Sequence, residues 1–276
     1  ATARRGNAFS SMAMLIAVIA GLIGSQAVSY EVIVVGMLVG ALIGTLSARL
    51  VAMTSMPELV ALFNGSGGAS SLLVGWATLY YFEGDVVPTF IAATIVLAIL
   101  IGGLTFTGSL IAYGKLSERI NSAALVFSGQ RVLNSALLLA IVACAYLFCM
   151  DPSATSVYLY ALLGLALLLG VMAVIPIGGA DMPVVISLLN SYSGIAACAA
   201  GFAVGNNILI VAGALVGASG IILTNIMCKA MNRSLANVLF SGFGAAKTAK
   251  AVEGEVKPIS VEDAYYILEA ASNVCF

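Results

Sequence analysis

The stretch Thr89–Tyr113 reads TFIAATIVLAILIGGLTFTGSLIAY and contains no charged residue. An α-helix rises about 1.5 Å per residue and the hydrocarbon core of a bilayer is about 30 Å thick, so about 20 apolar residues span it. This stretch is therefore long enough to cross a membrane as one helix, and it sets the pattern by which the rest of the chain is read.

Further runs of the same kind lie on both sides of it. Of the 276 residues, 62% are hydrophobic and only 8% are charged, whereas about 25% of the residues of a soluble domain are charged. The sequence therefore predicts an all-α membrane protein, a polytopic helical bundle of about eight transmembrane helices. The predicted spans are Ala8–Ser25, Val32–Arg49, Met56–Tyr80, Thr89–Tyr113, Val132–Met150, Val157–Ile175, Val184–Ala203 and Ile208–Cys228.

The charges separate between alternate connectors. Basic residues near span ends all fall on one side: Arg4, Arg5, Arg49, Lys115, Arg119, Arg131, Lys229 and Arg233. The other side carries only acids: Glu31, Glu83, Asp85 and Asp151. Because basic residues mark the cytoplasmic side, both chain ends are predicted to face the cytoplasm, or the matrix in a mitochondrion. Glu58 and Asp181 are the notable acids of the basic side.

Composition also excludes several kinds of site. A net charge of −1 argues against a partner nucleic acid, which is bound by phosphate neutralisation. The chain has no histidine, so it contains no histidine-based metal site, catalytic triad or proton relay. Its five cysteines lie mostly in apolar runs without CxxC spacing, and we expect them to pack as small hydrophobic residues. No bound metal is predicted.

The composition changes after the last span. Residues 1–230 are predicted to form the transmembrane domain and 231–258 a solvated linker rich in Ser, Gly, Lys and Glu. Ser260 and Asp263 resemble a helix-capping pair, and apolar residues then recur at helical spacing. We interpret 259–276 as the start of a soluble α/β domain, with a strand beginning at Asn273–Phe276, and the chain as a piece of a longer protein.

Amides and hydroxyls are the only strongly polar groups inside the spans. Polar side chains in a bilayer are costly and tend to be functional. Asn64 and Asn190, with nearby hydroxyls such as Ser109, are predicted to line a narrow wet path, because an amide can orient water. Interhelical hydrogen bonding is the alternative for the hydroxyls. Glycines four residues apart, as in Gly36-xxx-Gly40-xxx-Gly44 and Gly213-xxx-Gly217, are interpreted as packing seams.

Several long motifs resemble one family, the proton-translocating NAD(P)⁺ transhydrogenases, in the membrane domain of their beta subunit. The strongest is IGGADMPVVISLLNSYSG over Ile177–Gly194. The others are Gly213–Gly220 (GALVGASG), Ile226–Ser234 (IMCKAMNRS), Met56–Ala61 (MPELVA), Thr105–Ser109 (TFTGS) and Tyr113–Leu116 (YGKL).

The resemblance implies a function for the chain. Members couple hydride transfer from NADH to NADP⁺ with proton movement through this membrane domain. NAD and NADP are bound by soluble domains outside this chain, and no nucleotide-contacting residue is expected here. Implied partners are the alpha subunit, the NADP(H)-binding domain that follows the spans, and a second copy of the alpha/beta unit as a dimer. The implied location is the bacterial cytoplasmic (inner) membrane, or the mitochondrial inner membrane.

The resemblance also implies roles for single residues. Asn190 and Ser109 match polar residues of the family's proton path, and Gly220 matches a glycine of a path-lining helix. Asp181 and Arg233 match charged residues at the membrane face where coupling is placed, and Glu58 is expected near them.

Asn64 is a departure from the main pattern of the family. Many members carry a histidine at this place, while a second branch has asparagine there and a histidine on an alpha-side span. This chain resembles the second branch, so the alpha subunit is expected to supply the protonatable histidine.

Two other functions remain as alternatives at this point. Spans interrupted by glycine also occur in secondary transporters of small polar solutes. However, the two halves of this chain show no internal repeat. A purely structural assembly subunit is the other alternative, and it predicts that the asparagines inside the spans are replaceable.

Overall fold

The computed structural model describes residues 2–24, 30–82, 86–152, 156–240 and 260–271. Within these ranges the chain is helical and has no strand, which confirms the predicted fold class. Short 3₁₀ turns over Met53–Ser55, Leu79–Phe82 and Gly179–Asp181 extend two of the helices. The α-helices are α1 (Thr2–Gly24), α2 (Tyr30–Leu50), α3 (Met56–Thr78), α4 (Thr89–Leu116), α5 (Gln130–Met150), α6 (Val157–Val174), α7 (Met182–Ala203), α8 (Asn207–Ala230), α9 (Leu235–Phe240) and α10 (Val261–Ala270).

Seven helical segments in the described part are long and apolar enough to cross a membrane. They correspond to the second to eighth predicted runs and contain α2 to α8. The first predicted run, Ala8–Ser25, is helical as α1 as far as Gly24, but α1 is not among the seven. The chain is therefore a multi-span helical protein.

α4 lies at the centre of the bundle and packs against α3, α6 and α7. Glycines allow the closest of these contacts, because a Cβ added at Gly68 on α3 would lie 2.8 Å from the carbonyl oxygen of Gly102 on α4. A Cβ added at Gly102 would lie 2.7 Å from the carbonyl oxygen of Gly68. The two backbones thus touch at positions that only glycine can occupy without displacement.

Close helix packing is found at one of the two predicted glycine seams and not at the other. On α7 and α8 they are real, because a Cβ added at Gly213 would lie 2.5 Å from the backbone nitrogen of Cys198. On α2, Gly36, Gly40 and Gly44 have no heavy atom within 4 Å of an added Cβ, and α2 has no buried residue. The α2 glycines therefore form no seam within the described part of the chain.

The described segment that follows α8 packs against the bundle. α9 lies inside the predicted linker 231–258, and its Val238 is fully buried beside residues of α7 and α8. The predicted cap is confirmed, since the backbone nitrogen of Asp263 donates to Ser260 Oγ over 3.1 Å at the start of α10. The predicted strand Asn273–Phe276 lies outside the described residues. The domain boundaries stay predictions.

Candidate functional site: an amide–hydroxyl cluster and an ion pair

Three spanning helices bring one polar group each to a common point. Asn64 Nδ2 on α3 donates to Ser109 Oγ on α4 over 2.9 Å. Ser193 Oγ on α7 donates to Asn64 Oδ1, also over 2.9 Å. Ser109 is fully buried, and Asn64 and Ser193 are half-buried. We call these three residues the Asn64 cluster.

The local sequence explains why the Asn64 cluster can form. Gly65 follows Asn64, and a Cβ added at Gly65 would lie only 3.2 Å from Ser109 Cβ. A larger residue there would push α3 away from α4 and separate the amide from the hydroxyl. The glycine thus sets the distance over which Asn64 reaches Ser109.

The cluster can organise water but cannot store a proton. An amide has two N–H donors and one carbonyl acceptor, and a hydroxyl both donates and accepts. Asn64 uses one N–H toward Ser109 and its carbonyl oxygen toward Ser193, which leaves its second N–H for a water or another residue. None of the three groups titrates near neutral pH.

Asn190 does not join this cluster. It is exposed on α7, three residues before Ser193. Asn64 is eight residues into α3 and Asn190 is eight residues into α7, which puts each about 12 Å along its helix from the predicted basic end. The structure therefore brings Asn64 to Ser109 and Ser193, and leaves Asn190 on the bundle surface at a comparable depth. Ser193 is not among the site residues predicted from the sequence, and its only signal there is its place in the polar stretch Asn190–Ser193.

Thr105 is a further polar residue beside the cluster. It lies four residues before Ser109 on α4, which is one helical turn toward the acidic end, and it is fully buried against α3 near Gly68. Its hydroxyl has no hydrogen-bond partner among the described residues. A buried hydroxyl without a partner costs about 1–3 kcal/mol, so Thr105 is a polar position that packing alone does not favour.

Asp181 and Arg233 form an ion pair at the basic end. Arg233 Nη1 lies 2.5 Å from each of the two carboxylate oxygens of Asp181. The side chain of Asp181 is 7% exposed and that of Arg233 is 44% exposed, so the arginine covers a carboxylate that is otherwise buried. Asp181 directly precedes α7, where the N-terminal helix dipole favours a negative charge. The two residues singled out for the membrane face are therefore in direct contact.

Glu58 and Gly220 take part neither in the hydrogen bonds of the Asn64 cluster nor in the Asp181–Arg233 ion pair. Glu58, in the first turn of α3, lines a cavity of about 340 Å³ together with Ser47 and Tyr113. Gly220 lies in the seam between α7 and α8, where an added Cβ would be 2.7 Å from Ser191 Cβ. In this seam Ser191 Oγ donates to the carbonyl oxygen of Gly217 over 2.5 Å. Gly220 thus packs two helices together and does not contact the Asn64 cluster.

The described residues contain no group of three or more carboxylate or cysteine side chains that could hold a metal. They also contain no glycine-rich strand–turn–helix of the kind that holds a dinucleotide, so no nucleotide contact is assigned to them.

These features define a class of protein. A polytopic helical bundle with amides and hydroxyls meeting between three spans, and with a buried carboxylate paired to arginine at one end, is a multi-pass membrane protein with polar groups between its spans.

The comparisons with known proteins identify the family. The family model described as "NAD(P) transhydrogenase beta subunit" matches residues 1–276. The chain belongs to this family, which confirms the resemblance inferred from the motifs. Two relatives from Rhodospirillum rubrum, one of them assigned to a named strain, are each called "NAD(P) transhydrogenase subunit beta" and are 43% identical to it over 284 residues. The alignments cover 99% of this chain but only 61% of each relative, and the matched part is the membrane part.

Proposed function

We propose that this chain is the proton-conducting membrane part of an NAD(P)⁺ transhydrogenase, and that it couples hydride transfer from NADH to NADP⁺ with proton translocation across the membrane. The Asn64 cluster carries this proposal. It supplies connected donors and acceptors between three spanning helices, in a part of the molecule where polar groups are costly. Membership of the transhydrogenase family favours this function over the secondary transporter.

In this proposal protons move along water held by the Asn64 cluster, and Thr105 extends the line of polar groups toward the acidic end. The unpartnered Thr105 hydroxyl and the unused N–H of Asn64 are the positions where water completes the line. Asn190 and Gly220, implied by the family resemblance, remain proposed contributors. Asn190 contributes from the exposed face of α7 and Gly220 by keeping α8 close to Ser191.

The Asp181–Arg233 ion pair is the proposed coupling element. It lies at the end of the bundle from which α9 and the tail emerge, where the NADP(H)-binding domain is expected to dock. The ion pair is proposed to form in one conformational state of the bundle and to break in another. Docking then shifts the equilibrium between these states, because the docked domain binds them with different affinities. Glu58 is proposed as a second acidic contact on this face.

The protonatable group is proposed to come from a partner. The chain has no histidine, and the Asn64 cluster itself contains no group that titrates near neutral pH. Asn64 is half-buried and Asn190 is exposed, so neither is sealed inside the bundle, and the proposed contact with a helix of the alpha subunit is made at one or both of them. NAD and NADP are bound by the soluble domains, and the complex is proposed to dimerise in the cytoplasmic (inner) membrane with both ends of this chain cytoplasmic, or in the mitochondrial inner membrane.

The test is a pair of serine variants on the complete alpha/beta complex in liposomes. Ser109→Ala removes the hydroxyl that accepts from Asn64, whereas Ser66→Ala removes an exposed hydroxyl of α3 that bonds only the carbonyl oxygen of Phe63. We expect Ser109→Ala to lower NADH-driven proton uptake about tenfold, and Ser66→Ala to leave it unchanged. Undiminished proton uptake in Ser109→Ala would place the path elsewhere.

A further inference from the structure

Lys115 is one of the largest fully buried side chains in the described part of the chain. It lies in the last turn of α4, and from its sequence position it is one of the basic residues expected to face the aqueous side. In the structure it is 1% exposed. No carboxylate pairs with it among the described residues.

Three backbone carbonyls satisfy the Lys115 ammonium instead. Its Nζ donates to the carbonyl oxygen of Ala123 over 3.1 Å, of Ile175 over 2.6 Å and of Ile177 over 2.7 Å. An ammonium has three hydrogens, so its donor capacity is fully used. Ile175 and Ile177 follow the C-terminus of α6, where the helix dipole favours a positive charge.

These bonds hold a specific segment. Residues 175–181, which we call the connector, join α6 to α7 and end at Asp181. A second contact fixes the connector to the loop after α4, since the backbone nitrogen of Gly179 donates to the carbonyl oxygen of Ser122 over 2.8 Å. Ser122 Oγ in turn donates to the carbonyl oxygen of Lys115 over 2.9 Å. The position of Asp181 thus depends on Lys115 through the connector.

The same helix also reaches the Asn64 cluster. Ser109 lies six residues before Lys115 on α4, about 9 Å along the helix axis. A movement of α4 that alters the Asn64–Ser109 contact therefore also pulls on the carbonyls of the connector. The Asn64 cluster and the ion pair are thus connected through α4, Lys115 and the connector.

We propose that Lys115 is a positioning residue for coupling: its three bonds to the connector and the adjoining loop hold Asp181 against Arg233 and tie this ion pair to the helix that carries Ser109. This inference rests on the proposed function of the ion pair. Burying an ammonium without a counter-ion costs free energy of folding. In return, the three hydrogen bonds of Lys115 hold the connector in place.

The test compares two lysines that occupy the last turn of a spanning helix. Lys115→Met keeps an unbranched side chain that is one heavy atom shorter and removes all three bonds, and Lys229→Met makes the same change at an exposed lysine of α8. In the complete complex, we expect Lys115→Met to speed amide hydrogen exchange in the connector at least tenfold. We also expect the ratio of proton-linked turnover to uncoupled hydride exchange to fall about tenfold. Lys229→Met leaves both unchanged.

A double variant separates positioning from general damage. If Lys115 acts through Asp181, then Lys115→Met lowers the coupling ratio in the wild-type background but not further in an Asp181→Asn background. The inference would be overturned if the coupling ratio of the double variant fell by the product of the two single losses. It would also be overturned if Lys115→Met had the connector hydrogen exchange and the coupling ratio of the wild type. If Lys115→Met does not insert, Lys115→Arg replaces it. The planar guanidinium cannot reproduce all three bonds, so we expect a loss of about threefold that again disappears in the Asp181→Asn background.

The outcomes also separate this inference from the proposed function. A fully coupled Asp181→Asn variant would remove the coupling role of the ion pair, while connector exchange in Lys115→Met would still report whether Lys115 holds the connector. An uncoupled Asp181→Asn variant together with a silent Lys115→Met variant would leave the proposed function standing and remove Lys115 from it.

Discussion

Ser193 on α7 donates its hydroxyl hydrogen to Asn64 Oδ1 on α3 over 2.9 Å, across 129 residues of sequence. This bond fixes the orientation of the Asn64 amide, because the carbonyl oxygen that accepts from Ser193 leaves the Nδ2 side to face Ser109. The direction of donation through the cluster thus runs from α7 through α3 to α4.

Ser193→Ala is expected to impair proton conduction as Ser109→Ala does. Without the Ser193 hydroxyl, the Asn64 amide can turn over and present its donor and acceptor in the opposite sense. We expect NADH-driven proton uptake to fall about threefold to tenfold, the equivalent of about one hydrogen bond, with uncoupled hydride exchange retained. Equal proton uptake in Ser193→Ala and wild type would show that the amide is held by other means.

Asp181→Asn is expected to slow proton-linked turnover about tenfold while the spans remain inserted. The substitution removes the charge that Arg233 covers but keeps the size of the side chain, so only the ion pair is lost. The measurement is proton uptake together with membrane yield of the complex. The matched control is Asp263→Asn, which changes an exposed carboxylate of α10. A wild-type rate of proton-linked turnover in both variants would contradict the role of Asp181.

Thr105→Val is expected to raise stability and lower proton flux. Valine has nearly the shape of threonine and removes a buried hydroxyl without a partner among the described residues, which favours the fold by about 1 kcal/mol. The same change removes a water-binding group beside Ser109. Thermal unfolding of the complex measures the effect on stability, and proton uptake in liposomes measures the effect on proton flux. The control is Thr78→Val, because the hydroxyl of Thr78 already donates to the carbonyl oxygen of Val74. Unchanged proton uptake would assign Thr105 to packing alone.

Gly220→Ala is expected to destabilise the seam between α7 and α8 by about 1–3 kcal/mol. The added methyl group would lie 2.7 Å from Ser191 Cβ and 2.9 Å from Ser191 Cα, so one helix has to shift. Gly164→Ala on α6 is the control, because no heavy atom lies within 4 Å of its added Cβ. Chemical unfolding in detergent measures the difference, and equal stability of the two variants would mean that the seam relaxes freely.

The isolated chain is expected not to conduct protons in liposomes. It lacks histidine, and the amides and hydroxyls of the Asn64 cluster do not load a proton near neutral pH. Conduction is expected only with the alpha-side spans present, and a histidine-to-alanine change in those spans should abolish it. Proton flux through the isolated chain at the rate of the complete complex would contradict this prediction.

Local properties of the sequence are enough to predict the class of the molecule. The length and apolar content of a run are local properties, so α2 to α8 were predictable from composition, and the Ser260–Asp263 cap from two residue types at a fixed spacing. The motifs from Ile177 to Gly194 and from Gly213 to Gly220 identified the family without any contact being known. The polar residues inside the spans could likewise be found by inspection.

Packing between the helices determines which of those polar residues meet. Residues three apart on a helix point in directions about 60° apart, so a modest rotation of α7 decides whether Asn190 or Ser193 reaches Asn64. That rotation is set by contacts with other helices, such as the α7–α8 glycine seam, and depends on all of them together. Lys115 shows the same point, because its position at a span end predicts a solvated charge. Only the packing of the connector and of the loop after α4 against the end of α4 gives its ammonium three acceptors inside the protein.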